Sequence, residues 1–466
     1  MVFSRLFFIY IFLPVCLLCY ALARGTKAKN LVLIVFSLIF YAWGEPVYIF
    51  LMLTTAAVNY GAGLLIGKYQ GQRGNTAATV IAVTYDLLML GVFKYSGFIV
   101  ENINALFSSS IPVPDIRLPI GISFYTFQTI SYIIDCHWEK VKPQKSFGKY
   151  LLFLTLFPQL VAGPIVRYST IEKEINERKI ELSDVSYGLN RVALGLGKKV
   201  LLANQLSIIA DSFLGNISSS TMFGAWYGAI AYGLQIYFDF SGYSDIAIGL
   251  GRIFGFHFDE NFDHPFICRD ITEFWQRWHI SLSTFFRDYV LYIPIFGKRR
   301  KYGGLFLVWL CTGIWHGASW NFIIWGLYYG IFVFIEMLIG KKRMKKIPVV
   351  IRHIYSKLVI IIGFGIFYFE KLGKLGTFFK TAFGFGENGF LAVQDRISVI
   401  NNMYLLTVAV ICCFPVIKLV KQTADKHFVT KAAVSSAAAV AAALLLIVTS
   451  IMLVASTANP FLYFRF

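Results

Sequence analysis

Residues 304–339 read GLFLVWLCTGIWHGASWNFIIWGLYYGIFVFIEMLI. A single helix crosses a hydrocarbon core of roughly 30 Å with about 20 residues, so this nearly uninterrupted apolar stretch reads as one long membrane segment or two adjacent ones. Working outward, similar runs recur near residues 2–22, 30–43, 47–66, 78–99, 117–135, 148–166, 186–210, 222–250, 349–369, 401–420 and 432–456. The chain of 466 residues is 57% hydrophobic and 15% charged, with a mean hydropathy of +0.64, well beyond the range of a soluble globular domain. The expectation is an all-α polytopic membrane protein of about 11–13 segments, some re-entrant or interfacial, with residues 1–466 forming a single membrane domain and no internal repeat of the kind that marks transporter halves.

The formal charge is +18, from 43 Lys and Arg against 25 Asp and Glu. Its distribution argues against nucleic-acid binding, because the basic residues fall in short clusters between apolar runs, at Arg24–Lys29, Lys298–Lys301 and Lys341–Lys346. Such clusters mark cytoplasmic loops. Counting from the first of them, the N-terminus is extracytoplasmic, residues 68–73 and 137–147 are cytoplasmic, and the polar stretch from Glu101 to Asp115 is outside. The same rule places 371–400 outside, Lys421–Lys431 inside and the tail at Asn459-Pro460-Phe461 outside. A multi-pass protein of the cell membrane follows, with lipid as its surroundings. Gly44-Glu45-Pro46 reads as the turn of a helical hairpin. Residues 1–23 resemble a cleavable signal peptide in outline, but the run is long and a second begins at Asn30, so a retained first segment is the preferred reading.

Seven cysteines, at 16, 19, 136, 268, 311, 412 and 413, sit mostly inside apolar runs and form neither a disulfide framework nor a metal-ligand pattern. The chemistry is sought elsewhere. The interval 251–303 is too polar to cross a membrane freely, yet rich in aromatics, so it is expected to be interfacial or buried in protein. Asp270-Ile-Thr-Glu273 has the form of a helix N-terminus, and a helical run from Phe274 to Val290 is predicted after it. Trp275, Trp278, His279, Leu282 and Phe286 then share one face. A histidine on an aromatic face is either a core residue satisfied by one hydrogen bond, a ring in an interfacial belt, or a catalytic group.

His316 is the sharper candidate, because Trp315-His316-Gly317 interrupts the apolar stretch 304–339, and an ionisable group at membrane depth usually faces a cavity or a polar partner. Neutral imidazole is well matched to removing a hydroxyl proton near pH 7, which acyl transfer to a hydroxyl requires. Gly313, Gly317 and Gly326 allow a cofactor or another helix to approach the backbone. Asp239, Ser241 and Asp245 form an acidic, hydroxyl-rich insertion at the end of the run 222–250. Its carboxylates are read as orienting histidines or bonding backbone groups released by a helix break at Gly242, in preference to Ser241 acting as a nucleophile. Arg287 and Asp288, with Arg277, either pair among themselves or meet an anionic substrate.

These residues carry a resemblance. The blocks 235–249 (QIYFDFSGYSDIAIG), Asn261-Phe262, Pro265, 274–283 (FWQRWHISLS), 287–289 (RDY) and 315–321 (WHGASWN), with 121–128 (GISFYTFQ) and 157–167 (FPQLVAGPIVR) upstream, are similar to the signature of bacterial alginate O-acetyltransferase proteins of the membrane-bound O-acyltransferase family. Even the ends, 1–4 (MVFS) and 460–463 (PFLY), are similar. The resemblance implies that His316 is the family's essential histidine and His279 its second active-site histidine, in a central tunnel joining the two membrane faces, with Asp239, Ser241, Asp245, Trp278, Arg287, Asp288, Trp315 and Asn321 as supporting or substrate-binding residues. It further implies acetyl-CoA as a cytoplasmic acyl donor, no bound cofactor or metal, and delivery to a polysaccharide hydroxyl or to an extracytoplasmic partner acetyltransferase. One departure concerns the loop after Tyr292-Ile-Pro294, where many relatives have Leu-Gly-Gly and this chain has Ile295-Phe296-Gly297 followed by four basic residues. Relatives that transfer D-alanine to teichoic acid from a carrier protein supply an alternative, although 157–164 is closer to the acetyl-transferring group. Two rivals lie outside this chemistry: an exporter of a polysaccharide or lipid whose histidines relay protons, and a non-catalytic scaffold that recruits an extracellular enzyme.

Overall fold

The fold was analysed in a computed structural model that describes residues 1–161, 163–293, 300–424 and 428–454. Among these the chain is helical throughout its regular structure, with no strand. Eight helices are long and apolar enough to cross a membrane: Gly25–Ala42, Tyr48–Lys68, Arg73–Phe107, Leu182–Leu214, Trp320–Ile339, Val349–Tyr368, Val393–Cys412 and Ala433–Val454. The protein is an all-α polytopic membrane protein. Other expected segments are shorter or more polar helices, and the contacts divide the chain into two units.

The first unit holds residues 1–192 and 243–259 of the described chain. A π-helical turn, Phe8–Phe12, leads into α1 (Leu13–Leu22), followed by α2 (Gly25–Ala42), α3 (Tyr48–Lys68), α4 (Arg73–Phe107) and α5 (Ile122–His137). Phe3, Phe8, Phe40 and Phe157 build one aromatic core. Helix α5 is buried along almost its whole length, including Thr126, Gln128, Thr129, Ser131 and Asp135. It is therefore a core helix, as its mixed composition requires. In α3 and α4 the buried Asn59 donates to Asp86 at 2.8 Å, so a carboxylate excluded from lipid keeps a polar partner.

Helix α4 contains the expected run 78–99 and extends beyond it to Phe107, because nothing breaks it before Ser108, which turns left-handed at φ 49° ahead of Pro112 and Pro114. One expectation is corrected here. The segment 148–166 is not one span. It divides into α6 (Phe147–Thr155) and a single turn, α7 (Phe157–Leu160), since Pro158 lacks the amide that would continue α6 and its ring would meet the preceding turn. Beyond them come α8 (Tyr168–Asn176) and α9 (Leu182–Gly197), which opens the expected run 186–210.

The second unit holds 193–242 and 260–457 of the described chain. A π-helical stretch, Lys198–Ala203, joins the end of α9 to α10 (Asn204–Leu214), and α11 (Met222–Ile253) follows as one continuous helix. The break expected at Gly242 is absent. Glycine is needed there for a different reason: a Cβ would sit 2.8 Å from the Gly195 carbonyl oxygen, so the residue permits close packing of helix on helix. Next come α12 (Ile271–Arg277) and α13 (Ile280–Tyr289), then α14 (Lys301–His316) and α15 (Trp320–Ile339), a short α16 (Lys341–Met344), and α17 (Val349–Tyr368). The series ends with α18 (Leu372–Ala382), α19 (Val393–Cys412), α20 (Val416–Ala424) and α21 (Phe428–Val454). The stretch 304–339 is thus two helices. The divergent residues Ile295, Phe296 and Gly297 and the tail from Asn459 lie outside the described residues.

Candidate active site

His316 is the last residue of α14, and the hairpin that carries it is built by glycine. A Cβ on Gly313 would come within 2.4 Å of the Phe322 carbonyl oxygen, and one on Gly326 within 2.4 Å of that of Trp309, so α14 and α15 touch backbone to backbone. Gly317 faces the Phe322 ring, which a Cβ would meet at 2.2 Å. The imidazole is buried and lies edge-on to three rings, with centroids 4.9 Å from Trp315, 4.8 Å from Trp325 and 5.2 Å from Phe367. Phe367 is held in turn by Asn321, which is fully buried and whose Nδ2 donates to the carbonyls of Ile366 at 3.3 Å and Phe367 at 3.2 Å. A side chain near the start of α15 thereby fixes the end of α17 over the histidine.

His279 is placed quite differently. Asp270 caps α12 as the sequence predicts, its Oδ1 accepting the Glu273 amide at 2.8 Å. The single helix expected from Phe274 to Val290 is however two, broken at Trp278 and His279, and His279 itself is left-handed at φ 44° and ψ 55°. That conformation costs a non-glycine residue about 1 kcal/mol or more, so neighbouring contacts must impose it. The imposing element is the loop at 261–263: the Ile280 amide donates to the Asn261 carbonyl at 3.0 Å, and the Asp263 amide to that of Arg277 at 2.9 Å. Both ends of the break are satisfied by one passing chain. Asn261 also sets the imidazole. Its Oδ1 accepts from the Ser281 amide at 3.2 Å and the Ser281 hydroxyl at 2.9 Å, so at 3.2 Å from His279 Nδ1 it acts as an acceptor there too. Nδ1 carries the proton and Nε2 the lone pair. Burial lowers the imidazole's pKa to about 3, which keeps the ring neutral at physiological pH.

Trp315 brings the two histidines into one cluster, its ring centroid 5.9 Å from His279 and 4.9 Å from His316. Phe240 of α11 lies edge-on to His279 at 4.7 Å. The helix break also sorts the tryptophans. Trp275 wedges among Trp309, Trp325 and Tyr329 at 4.9–5.5 Å, on the His316 side. Trp278 instead packs among Phe262, Phe274 and Phe364, so the shared face predicted for Trp275, Trp278 and His279 does not form.

The remaining candidates divide. Asp239 is buried and pairs with the buried Lys199 at 2.5 Å, one residue from the Phe240 that contacts His279. Ser241 is buried beside it. Asp245 belongs to the first unit, where it accepts from Arg191 at 2.7 Å. Arg287 and Asp288 pair with each other at 2.8 Å on the surface, and Arg277 pairs with Asp263 and Glu273. Sequence reasoning gave no role to Lys199 or Asn261. Lys199 had a usable mark, a cation inside the apolar run 186–210. Asn261 stood in one of the blocks that carry the resemblance, Asn261-Phe262, but nothing in its polar stretch Asp259-Glu260-Asn261 gave it a role.

Two buried imidazoles walled by aromatic rings are suited to acyl chemistry away from bulk water: the neutral His279 offers a lone pair that accepts a hydrogen bond, and His316 is the group left to serve as base. Comparison with known proteins identifies the family. The profile of the membrane-bound O-acyltransferase family matches residues 50–372. The chain is 42% identical over 397 residues to the probable alginate O-acetylase AlgI of Pseudomonas syringae pv. tomato, covering 83% of this chain and 76% of that protein. It is 36% identical over 366 residues to a peptidoglycan O-acetyltransferase of Helicobacter pylori, covering 71% and 69%. It is also 30% identical over 282 residues to a teichoic acid D-alanyltransferase of Bacillus subtilis, covering 55% and 71%. A match of this extent, with a buried histidine cluster to go with it, makes the chain an O-acyltransferase belonging to the membrane-bound O-acyltransferase family.

Proposed function

We propose that the protein takes an acetyl group from cytoplasmic acetyl-CoA and passes it, through a tunnel in the membrane, to a hydroxyl of a cell-surface polysaccharide or to an extracytoplasmic partner acetyltransferase. In this reading residues 1–466 act as one membrane domain with the N-terminus outside. His316 is the general base or transient acyl acceptor, and His279 positions the thioester or the acceptor. As base, His316 takes the hydroxyl proton while the oxygen attacks the thioester carbon. The carbon–sulfur bond then breaks, and the leaving thiolate takes up a proton as coenzyme A departs.

The observation that carries the proposal is the contact of both histidines with Trp315 inside a buried aromatic cluster. Asn321 supports it by holding Phe367 against His316, and Asp239 with Lys199 by neutralising charge beside Phe240. The names of the alginate and peptidoglycan relatives favour acetyl over other acyl groups, while the teichoic acid relative supports D-alanyl transfer from a carrier as the second reading.

The test is the consumption of radiolabelled acetyl-CoA by the purified protein in lipid. Turnover or self-labelling is expected in the parent and a loss of about a thousandfold or more in His316→Ala, with membrane insertion unchanged. Retained activity in His316→Ala sinks the catalytic assignment. A parent inert towards acetyl-CoA but active with a carrier-bound aminoacyl donor selects the second reading, and polysaccharide transport without any acyl donor selects the exporter.

A further inference from the structure

Glu336 lies three turns along α15 from Trp325, the residue whose ring meets His316. It is buried in the most apolar part of the chain, where a carboxylate is costly unless fully engaged. It is so engaged. Oε1 accepts the Ile271 amide at 2.7 Å and the Tyr355 hydroxyl at 3.1 Å. Oε2 accepts the Thr272 amide at 2.8 Å and the Thr272 hydroxyl at 2.6 Å. Three of these four donors belong to the first two residues of α12.

The same corner carries further ties in the same direction. Asp270 pairs with Arg352 at 2.5 Å, and the Lys357 ammonium donates to the Cys268 carbonyl at 2.7 Å. Residues 268–272 are thus fastened to α15 and α17 by charged groups. From this clamp α12 runs about 10 Å at 1.5 Å per residue and ends at the break that presents His279. Its length is stiffened by Trp275 between Trp309 and Trp325, and its far end is fastened through Arg277 to Asp263.

We propose that Glu336 is a positioning residue for acyl transfer: by holding the first turn of α12 onto the helix whose Trp325 packs His316, it sets where His279 stands relative to His316. This rests on the two-histidine reading above. A carboxylate suits the task because both oxygens accept. A glutamine of the same shape offers one accepting oxygen and turns N–H groups towards amides that also donate.

The experiment measures kcat and KM for acetyl-CoA with the full-length protein in lipid, for the parent, Glu336→Gln, His279→Ala and the double variant. Glu336→Gln is expected to lower kcat about 10- to 100-fold, the scale of a misplacement near 1 Å, with KM within about twofold. In the His279→Ala background the same change is expected to cost less than about threefold, because no imidazole remains to be misplaced. A full multiplicative loss there, or an unchanged kcat in the single variant, overturns the proposal.

If Glu336→Gln does not fold, or His279→Ala leaves no turnover, Thr272→Val decides the matter, since it removes only the 2.6 Å hydroxyl bond. A several-fold fall in kcat at constant KM upholds the positioning role; unchanged kinetics, or a loss only of folded protein, rejects it. Activity that survives His316→Ala is a separate result, which removes the site reading itself and leaves the Glu336 clamp as architecture.

Discussion

The hairpin α14–α15 and the broken pair α12–α13 each deliver one histidine to the cluster, by opposite means. In the hairpin, regular helices do the work: Gly313 and Gly326 bring the backbones together, and His316 is the residue at which α14 ends. In the pair, irregularity does it, with a left-handed His279 held by hydrogen bonds from a loop at 261–263. The first arrangement draws its stability from van der Waals contact along two helices. The second depends on a few polar atoms. A site made in both ways has one part that tolerates little change in side-chain volume and another that tolerates little change in hydrogen bonding.

The comparison breaks most severely in the hairpin. Gly326→Leu places bulk against the Trp309 carbonyl and the Gly313 backbone, and is expected to reduce acyl transfer more than a hundredfold together with the yield of folded protein, read by turnover and by size-exclusion chromatography in detergent. Asn261→Ala tests the polar half. Leaving the His279 Nδ1–H and the Ser281 groups without their acceptor costs about 1–3 kcal/mol, seen as a lower thermal midpoint and about a tenfold loss of rate without loss of insertion. Equal sensitivity of both halves to volume would erase the distinction.

A finer test uses pH. Burial holds the His279 imidazole near pKa 3, so its folded form stays neutral while an unfolded histidine binds a proton below about pH 6.5. The sign follows: the unfolded state takes up more protons between those values, so stability contributed at neutral pH declines as pH falls below about 6.5 and continues to decline towards 3. His279→Gln is expected to flatten the dependence of the thermal midpoint over that window. The smallest effect belongs to Arg287→Ala, which removes an exposed ion pair with Asp288; such pairs contribute about 0–1 kcal/mol, and turnover should stay within about twofold.

Legibility in the sequence followed the same division. His316 stood out because an ionisable group interrupts an apolar run, and the helices on either side obey length and apolarity. The Asp270 cap was legible from its spacing to Glu273, and the family from its dense motifs. The break at His279 was not, since the apolar residues Trp275, Trp278, Leu282 and Phe286 keep helical spacing through a turn that is imposed from outside by Asn261. The insertion at Asp239–Asp245 misled for a related reason. Its glycine marks close packing rather than a break, and its carboxylates pair with Lys199 and Arg191, residues 40 and 54 positions earlier in the chain. Periodicity reports what a helix does to its own neighbours, and these features belong to contacts distant in sequence.

Helix α4 carries one more consequence. Its 35 residues extend about 52 Å at 1.5 Å per residue, against a hydrocarbon thickness of about 30 Å. Tilting absorbs part of the difference, and the rest stands clear of the acyl chains. On the proposed orientation, the end that stands clear near Phe107 lies on the outer face. A membrane-impermeant probe attached at Asn104 would read the sidedness of the whole protein from that end, without touching either histidine.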